Sequence, residues 1–373
     1  MTFSGEDAAR GWLTGERKLI DLDEWTPPEQ RGQRKKRAVV TLKEFSATWL
    51  AGRTVRGRPL KPRTRDHYQQ LLDNLILPTF GALPVASITS DEIDDWYAGL
   101  GPDRPTLRSH AYGLLRTILG TAVDKNLILV NPCRVRGGSS TNRAHKVEPL
   151  TLAELERLVT EMPENRRLMV LLAAWCALRF GELAELRRRD VDVRNRLVKV
   201  RRGVVRADGK VIVGDPKSDA GSRNVAIPPH LMPIVKAHLK DHVEPGRDAL
   251  LFPSASGARA PEPGEPARDE HLAPSTLYGR NPVKIKTGQN VEWRGGHGFY
   301  RARALAGRPT LHFHDLRHTG AVLAAQTGAT LAELMGRLGH STPAAAMRYQ
   351  HAAADRDKAI AAALSRMAEG GSR

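Results

Sequence analysis

The sequence predicts a two-domain, mainly α-helical protein with a small antiparallel β-sheet confined to the second domain. Three observations lead there. At 373 residues the chain exceeds what a single core organises comfortably. From Thr41 to Asn131 apolar residues recur at helical spacing, and no strand alternation interrupts them. Between Arg196 and Pro228, short alternating runs stand between turn signals instead.

In chain order, residues 1–40 read as an N-terminal helix and a basic linker. The linker is "PPEQRGQRKKR" (Pro27 to Arg37), a run too charged to bury itself. Residues 41–133 form the helical domain. Thr41 and Glu44 have the spacing of a capping box, and Phe45, Trp49 and Leu50 follow as a buried stripe. Further helices are predicted around Thr64 to Leu75, from Ser90 onward, and from about Thr106 to Lys125. Residues 134–149, rich in Gly, Ser and Arg, are a second linker. Residues 150–351 are the second domain. It opens with a helix capped by Thr151 and Glu154, then the apolar run Leu168 to Leu178. Strands follow at "RLVKV" (Arg196 to Val200), "KVIV" (Lys210 to Val213) and "RNVAIP" (Arg223 to Pro228), with turns at Asp208-Gly209 and Asp219 to Gly221. The stretch Ser254 to Gly298, Pro- and Gly-rich, shows little periodicity and reads as a long excursion. From Arg317 the pattern is helical again, and residues 352–373 read as a tail helix.

Lysine and arginine number 58 against 41 acidic residues, a formal net charge of +17. A surface so basic repels itself unless a polyanion screens it, which points to nucleic acid. The longest apolar run is too short to span a bilayer, so no membrane partner is expected. Only Cys133 and Cys176 are present, far apart, so neither a disulfide framework nor a cysteine metal site is encoded. With no signal-peptide pattern at the start, the expected location is cytoplasmic, associated with the nucleoid.

Four short stretches could carry chemistry. In "ALRFGELAELRRRD", Arg179 and Glu182 stand three apart on one helical face, so the carboxylate can orient the guanidinium. The same pattern also serves as an ordinary helix-start salt bridge. Lys217, in "GDPKSDAGSRNVAIP", is expected at the tip of a hairpin, where a lysine either is solvated or delivers charge into a groove. In "HFHDLRH", His314 and Arg317 fall in the first turn of a helix. His314 and His318 have the spacing of a zinc pair, but Asp315 and Arg317 lie where they would not help a cation; an anion held at the helix N-terminus fits better. In "LMGRLGHSTPAAAMRYQH", Thr330 and Glu333 cap one helix, Gly339 ends it, and Thr342-Pro343 starts the next. His340 thus sits in the turn, with Tyr349 nine positions on. A helix-turn-helix DNA reader shares this outline.

Taken together and in this order, "LRFGEL", "PKSDAGSRNVAIP", "HDLRHTGA" and "LGHSTPAAAMRYQH" resemble the four active-site boxes of the tyrosine recombinases, the phage integrase family. The resemblance covers about Val147 to His351, and the helical domain before it is similar to the family's core-binding domain. It implies a site-specific DNA recombinase that works through a 3′-phosphotyrosyl intermediate and a Holliday junction, without metal, ATP or another cofactor. Tyr349 would be the nucleophile and Arg179 and Arg317 the phosphate clamp. Lys217 would be the acid for the departing 5′-oxygen, His314 the acid–base partner of Tyr349, His340 a further phosphate donor and Glu182 a support. His312, His318 and His351 are expected to be structural or solvent-facing.

The partners implied are double-stranded DNA at attachment sites and a homotetramer on paired sites, with room for a directionality factor and a host DNA-bending protein. In the tail, Ile360, Ala363, Leu364 and Met367 at helical spacing would dock on a neighbouring protomer. Integrases of this type commonly carry an arm-binding sheet before a helix like Ala9 to Pro28, and this chain begins almost at that helix. The segment Gly279 to Gly298 looks like an insertion. Resolution of chromosome dimers, type IB topoisomerase activity and non-catalytic DNA binding are the alternatives.

Overall fold

The computed structural model describes residues 5–22, 25–28, 40–55, 57–141, 148–216, 219–254, 271–287 and 290–350, with 361, 365, 366 and 368. The chain divides into two compact units, residues 1–143 and 144–373. Among the described residues no helix is long and apolar enough to cross a membrane.

The first unit contains α1 (Glu6–Asp21), α2 (Leu42–Gly52), α3 (Pro62–Leu71), α4 (Leu77–Phe80), α5 (Ser90–Gly99) and α6 (Pro105–Asp124). Thr41 and Thr89 each accept from the backbone of the glutamate three residues on, and those carboxylates return the bond, so α2 and α5 start on full capping boxes. The helix expected near Thr64 to Leu75 is longer than predicted. Pro62 occupies its first turn, and a π-helical segment, Leu72–Ile76, carries it into α4. Pro78 has no N–H to donate, and just before it the Leu77 N–H reaches back five residues to the Leu72 carbonyl. The indole of Trp96 takes the Leu75 carbonyl at 2.8 Å. Nor is the unit wholly helical: β1 (Thr54–Val55) and β2 (Arg58–Pro59) form a minimal antiparallel pair. Its core joins Trp49, Leu72, Ile76, Phe80, Ile93, Leu115 and Ile118.

The second unit opens with α7 (Leu152–Glu161), α8 (Glu164–Trp175) and the short α9 (Phe180–Ala184). Five strands follow: β3 (Val191–Asp192), β4 (Leu197–Val200), β5 (Gly203–Ala207), β6 (Lys210–Gly214) and β7 (Arg223–Ala226). They form two separate sheets, β3-β4-β7 and the hairpin β5-β6. This corrects the expected placing of Lys217 on a hairpin tip. β6 pairs back onto β5 because Asp208 (φ 51°) and Gly209 (φ 67°) both adopt the left-handed conformation of a tight two-residue turn. β7 pairs with β4 instead, so Lys217 lies on the connection between sheets, outside the described residues.

Beyond α10 (Met232–Asp241) the excursion is more regular than its composition suggested. It holds α11 (Pro274–Tyr278), a hairpin of β8 (Val283–Thr287) and β9 (Asn290–Arg294), and α12 (Gly298–Leu305). Three helices complete the unit: α13 (Phe313–Gln326), α14 (Leu331–Leu338) and α15 (Pro343–Gln350). The tail helix and His351 fall outside the described residues, apart from four isolated tail positions.

Helix α8 is the central pillar, with Leu168, Met169, Val170, Leu172, Ala173 and Ala174 all buried. Helix α13 packs against it at Gly320, where a β-carbon would stand 1.9 Å from the Ala174 carbonyl oxygen. Only glycine permits that approach. Gly320→Ala forces the helices apart, an overpacking worth roughly 2–3 kcal/mol. With about 2–4 °C lost per kcal/mol in a unit of this size, a thermal melt should register the change plainly.

Candidate active site

The site is built where α8 ends. Ala177, fully buried, takes a left-handed turn (φ 53°) between α8 and α9. Arg179 then acts as N-cap residue of α9 and Glu182 as its third residue, and the Arg179 N–H donates to Glu182 Oε2 at 3.0 Å. The two side chains also meet, Nη1 to Oε1 at 2.7 Å. The i,i+3 spacing in the sequence therefore does two jobs: it starts a helix and fixes a guanidinium.

Glu182 is only 6 % exposed and has a second cation that the sequence reading missed. Arg223 on β7 approaches it end-on, Nη1 to Oε1 at 3.1 Å and Nη2 to Oε2 at 3.0 Å. Burial works against the Glu182 charge, but the bonds from Arg223 and Arg179 outweigh it, and the carboxyl is held below the usual carboxylate range. Arg223 also donates to the carbonyls of Gly221 and Arg337. A signal for it was present: Arg223, Val225 and Ile227 alternate inward along the strand and its exit while Asn224 and Ala226 face out. A charge on the apolar face of a strand must have a buried partner.

Helix α13 begins at Phe313 with His312 as its cap; the His312 N–H donates to Asp315 Oδ2 at 2.8 Å. This gives His312 a structural task, as expected. Arg317, 2 % exposed, donates to the Ala177 carbonyl and to the Leu338 carbonyl at the end of α14. Arg179 donates to the next carbonyl, Gly339, at 3.2 Å. Gly339 closes α14 in the left-handed conformation (φ 62°), and a β-carbon there would stand 3.0 Å from Arg223 Nη1. Three segments distant in sequence thus converge on one turn, and His340 follows directly. Its imidazole is half-buried; desolvation first, then the charges of Arg317, Arg179 and Arg223, push its pKa down to about 4.

His314 keeps part of its ring exposed. Desolvation, the neighbouring His318 and Arg317 lower its pKa, and the His318 ring stands edge-on at 5.0 Å. Both His314 and His340 are therefore neutral at pH 7 in the free protein, able to accept a proton or to donate one according to tautomer. Among the described residues no group of three His, Cys, Asp or Glu side chains could hold a metal ion.

The structure thus brings together Arg179, Glu182, His314, Arg317 and His340, and adds Arg223. Tyr349 stands on α15, which packs against α13 and α14; its side chain lies outside the described residues. The arrangement places two exposed or half-exposed donors, Arg179 and His340, and the ring of His314 in front of buried cations. Such a surface suits a tetrahedral anion.

Comparison with known proteins agrees with this chemistry. Residues 148–356 match the phage integrase family, and residues 41–101 match the N-terminal SAM-like domain of phage integrases. The chain is 48 % identical over 368 residues to a putative prophage phiRv2 integrase of Mycobacterium tuberculosis, covering 99 % of this chain and 88 % of that protein. It is 37 % identical to the integrase of Mycobacterium phage L5, over 99 % and 91 %. The fold is shared with the Tn1549 transposon integrase in complex with circular intermediate DNA (TM-score 0.65, 18 % identity, 87 % of this chain and all of that one). It is also shared with a lambda integrase tetramer bound to a Holliday junction (TM-score 0.55, 16 % identity, 94 % and 88 %). The chain belongs to the phage integrase family and is a tyrosine-type site-specific DNA recombinase.

Proposed function

We propose that Tyr349 attacks the scissile phosphorus, forming a bond from its phenolic oxygen to phosphorus while the bond to the DNA 5′-oxygen breaks. The 3′-phosphate stays on the enzyme and the 5′-hydroxyl departs; a 5′-hydroxyl from another strand then reverses the step. His314 takes the phenol proton, and Lys217 supplies one to the leaving 5′-oxygen. Bond energy is conserved in the covalent intermediate, so the task left to the protein is to meet charge on the nonbridging oxygens. Arg179, Arg317 and His340 do this.

The observation that carries the reading is the convergence of Arg179 and Arg317 on the adjacent carbonyls of Leu338 and Gly339. Their guanidiniums are fixed before DNA arrives, so no reorganisation is required as charge develops. Glu182 and Arg223 stand behind them as positioning residues. The phenol, ordinarily near pKa 10, gains acidity from the same field.

A nicked suicide substrate carrying the attachment site tests the proposal, since loss of the short downstream strand traps the covalent protein–DNA adduct. The wild-type protein should accumulate adduct. Arg317→Ala should bind comparably and form it about 10² to 10³ times more slowly, the usual cost of one such donor. Equal rates would remove Arg317 from the clamp.

Integration of a phage or prophage genome is the role favoured by the mycobacterial relatives, and a homotetramer on paired sites is favoured by the lambda assembly of the same fold. In that role the enzyme works on host DNA in the nucleoid, with a directionality factor and a host DNA-bending protein as its accessory partners.

A further inference from the structure

The hairpin β8–β9 lies in the segment that looked like an insertion, and none of its described side chains is buried. Its register sets Lys284 opposite Trp293 and Lys286 opposite Val291, so both lysine positions share one face. The Lys284 ammonium lies 5.9 Å from the centre of the Trp293 ring. On the other face Arg294 donates to Glu292 at 3.2 and 3.3 Å, which cancels its charge. The lysine face carries no acidic residue. Charge on this hairpin is therefore one-sided.

The hairpin is also firmly planted. At its root the His297 N–H donates to the Arg280 carbonyl at 3.1 Å. Gly279 and Gly296, both with positive φ, allow the two ends to meet; a β-carbon on Gly296 would stand 2.6 Å from the Pro282 nitrogen. The root continues into Tyr278, whose hydroxyl accepts from the Phe313 N–H at 3.1 Å, the first residue of the helix that carries His314 and Arg317. Tyr278, Phe299 and Phe313 stack edge to face beneath it. A five-residue strand extends about 17 Å, so the hairpin projects from a base bonded to the helix that carries His314 and Arg317.

We propose that the Lys284–Lys286 face grips backbone phosphates of the substrate duplex, flanking the scissile phosphate. Lysine suits this role as a point charge that needs no bidentate geometry. The occupant is committed by charge: an unopposed basic face, on a protein of net charge +17 that acts on DNA. The proposal rests on the active-site reading above for the position of the scissile phosphate.

The test is a salt titration of binding to a fluorescein-labelled duplex of arbitrary sequence, comparing wild type, the double variant Lys284→Gln/Lys286→Gln, and Glu292→Gln on the opposite face. Each phosphate contact contributes about 0.9 to the slope of log affinity against log salt. The double variant should lose about 2 from the steepness of that slope and bind more weakly at low salt, while Glu292→Gln should lose none. Thermal melts should coincide, because Lys284 is exposed. An unchanged slope overturns the proposal. So does a double variant with unchanged binding that fails to pair two sites, since the face would then meet a second copy of the protein. Absence of a covalent adduct in the wild-type suicide-substrate assay would instead count against the active-site reading, which separates the two failures.

Discussion

Tyr349→Phe should bind DNA about as tightly as the parent and form no covalent complex. The substitution removes one oxygen and keeps the ring, the helix α15 and every cation of the site. Affinity for DNA resides mainly in phosphate contacts, which phenylalanine leaves untouched. The proposed nucleophile, by contrast, is that oxygen. Gel-shift titration and the suicide-substrate assay, run side by side, give the two readouts. A covalent band that persists in the variant would move the nucleophile to another residue and break the assignment of the last box. Weakened binding without adduct would point to misfolding.

The second large effect is expected at Arg223. Arg223→Gln leaves Glu182 buried with Arg179 as its remaining cation, and breaking a buried pair by removing one partner typically costs 3–5 kcal/mol. Denaturant unfolding at pH 7 should show a loss of that order. The pH dependence gives its sign. The folded-state pKa of Glu182 is lowered, so in the wild type the carboxylate contributes stability above its unfolded pKa and loses it as pH falls. In the variant burial is opposed by less, and that gain shrinks. The gap between the two proteins should therefore be wide at pH 7 and narrow through the carboxylate range toward acid. A gap independent of pH would mean that Arg223 acts through its carbonyl contacts and not through Glu182.

Much of this molecule was legible in its sequence where the information is local. The boxes at Thr41, Thr151 and Thr330, the αL glycine at 339 and the Asp208-Gly209 turn each depend on a handful of neighbouring residues, and each formed. The β8–β9 hairpin was also locally encoded, in the alternation of "VKIKT" and "NVEWR", but the surrounding proline and glycine masked it. What could not be read was partnership at a distance. Nothing near Lys217 says that β6 turns back to β5 while β7 crosses to β4. Nothing near Glu182 names Arg223, 41 residues on. The sequence singled out Arg179, Glu182 and Arg317 one box at a time; packing decided that they meet at the end of α14.

That meeting has a consequence in time. The bond from Arg179 to Gly339 closes a span of 160 residues, and that from Arg317 to Ala177 a span of 140. Contacts of such long range form only after the chain has met the entropy of closing those loops, and they slow folding. During synthesis, helices such as α6 and α8 can form as they emerge, but the Arg179 and Arg317 guanidiniums have no scaffold until Gly339 leaves the ribosome. A nascent or prematurely terminated chain is thus basic before these guanidiniums are held together, and their cluster forms late, once the turn after α14 has been made.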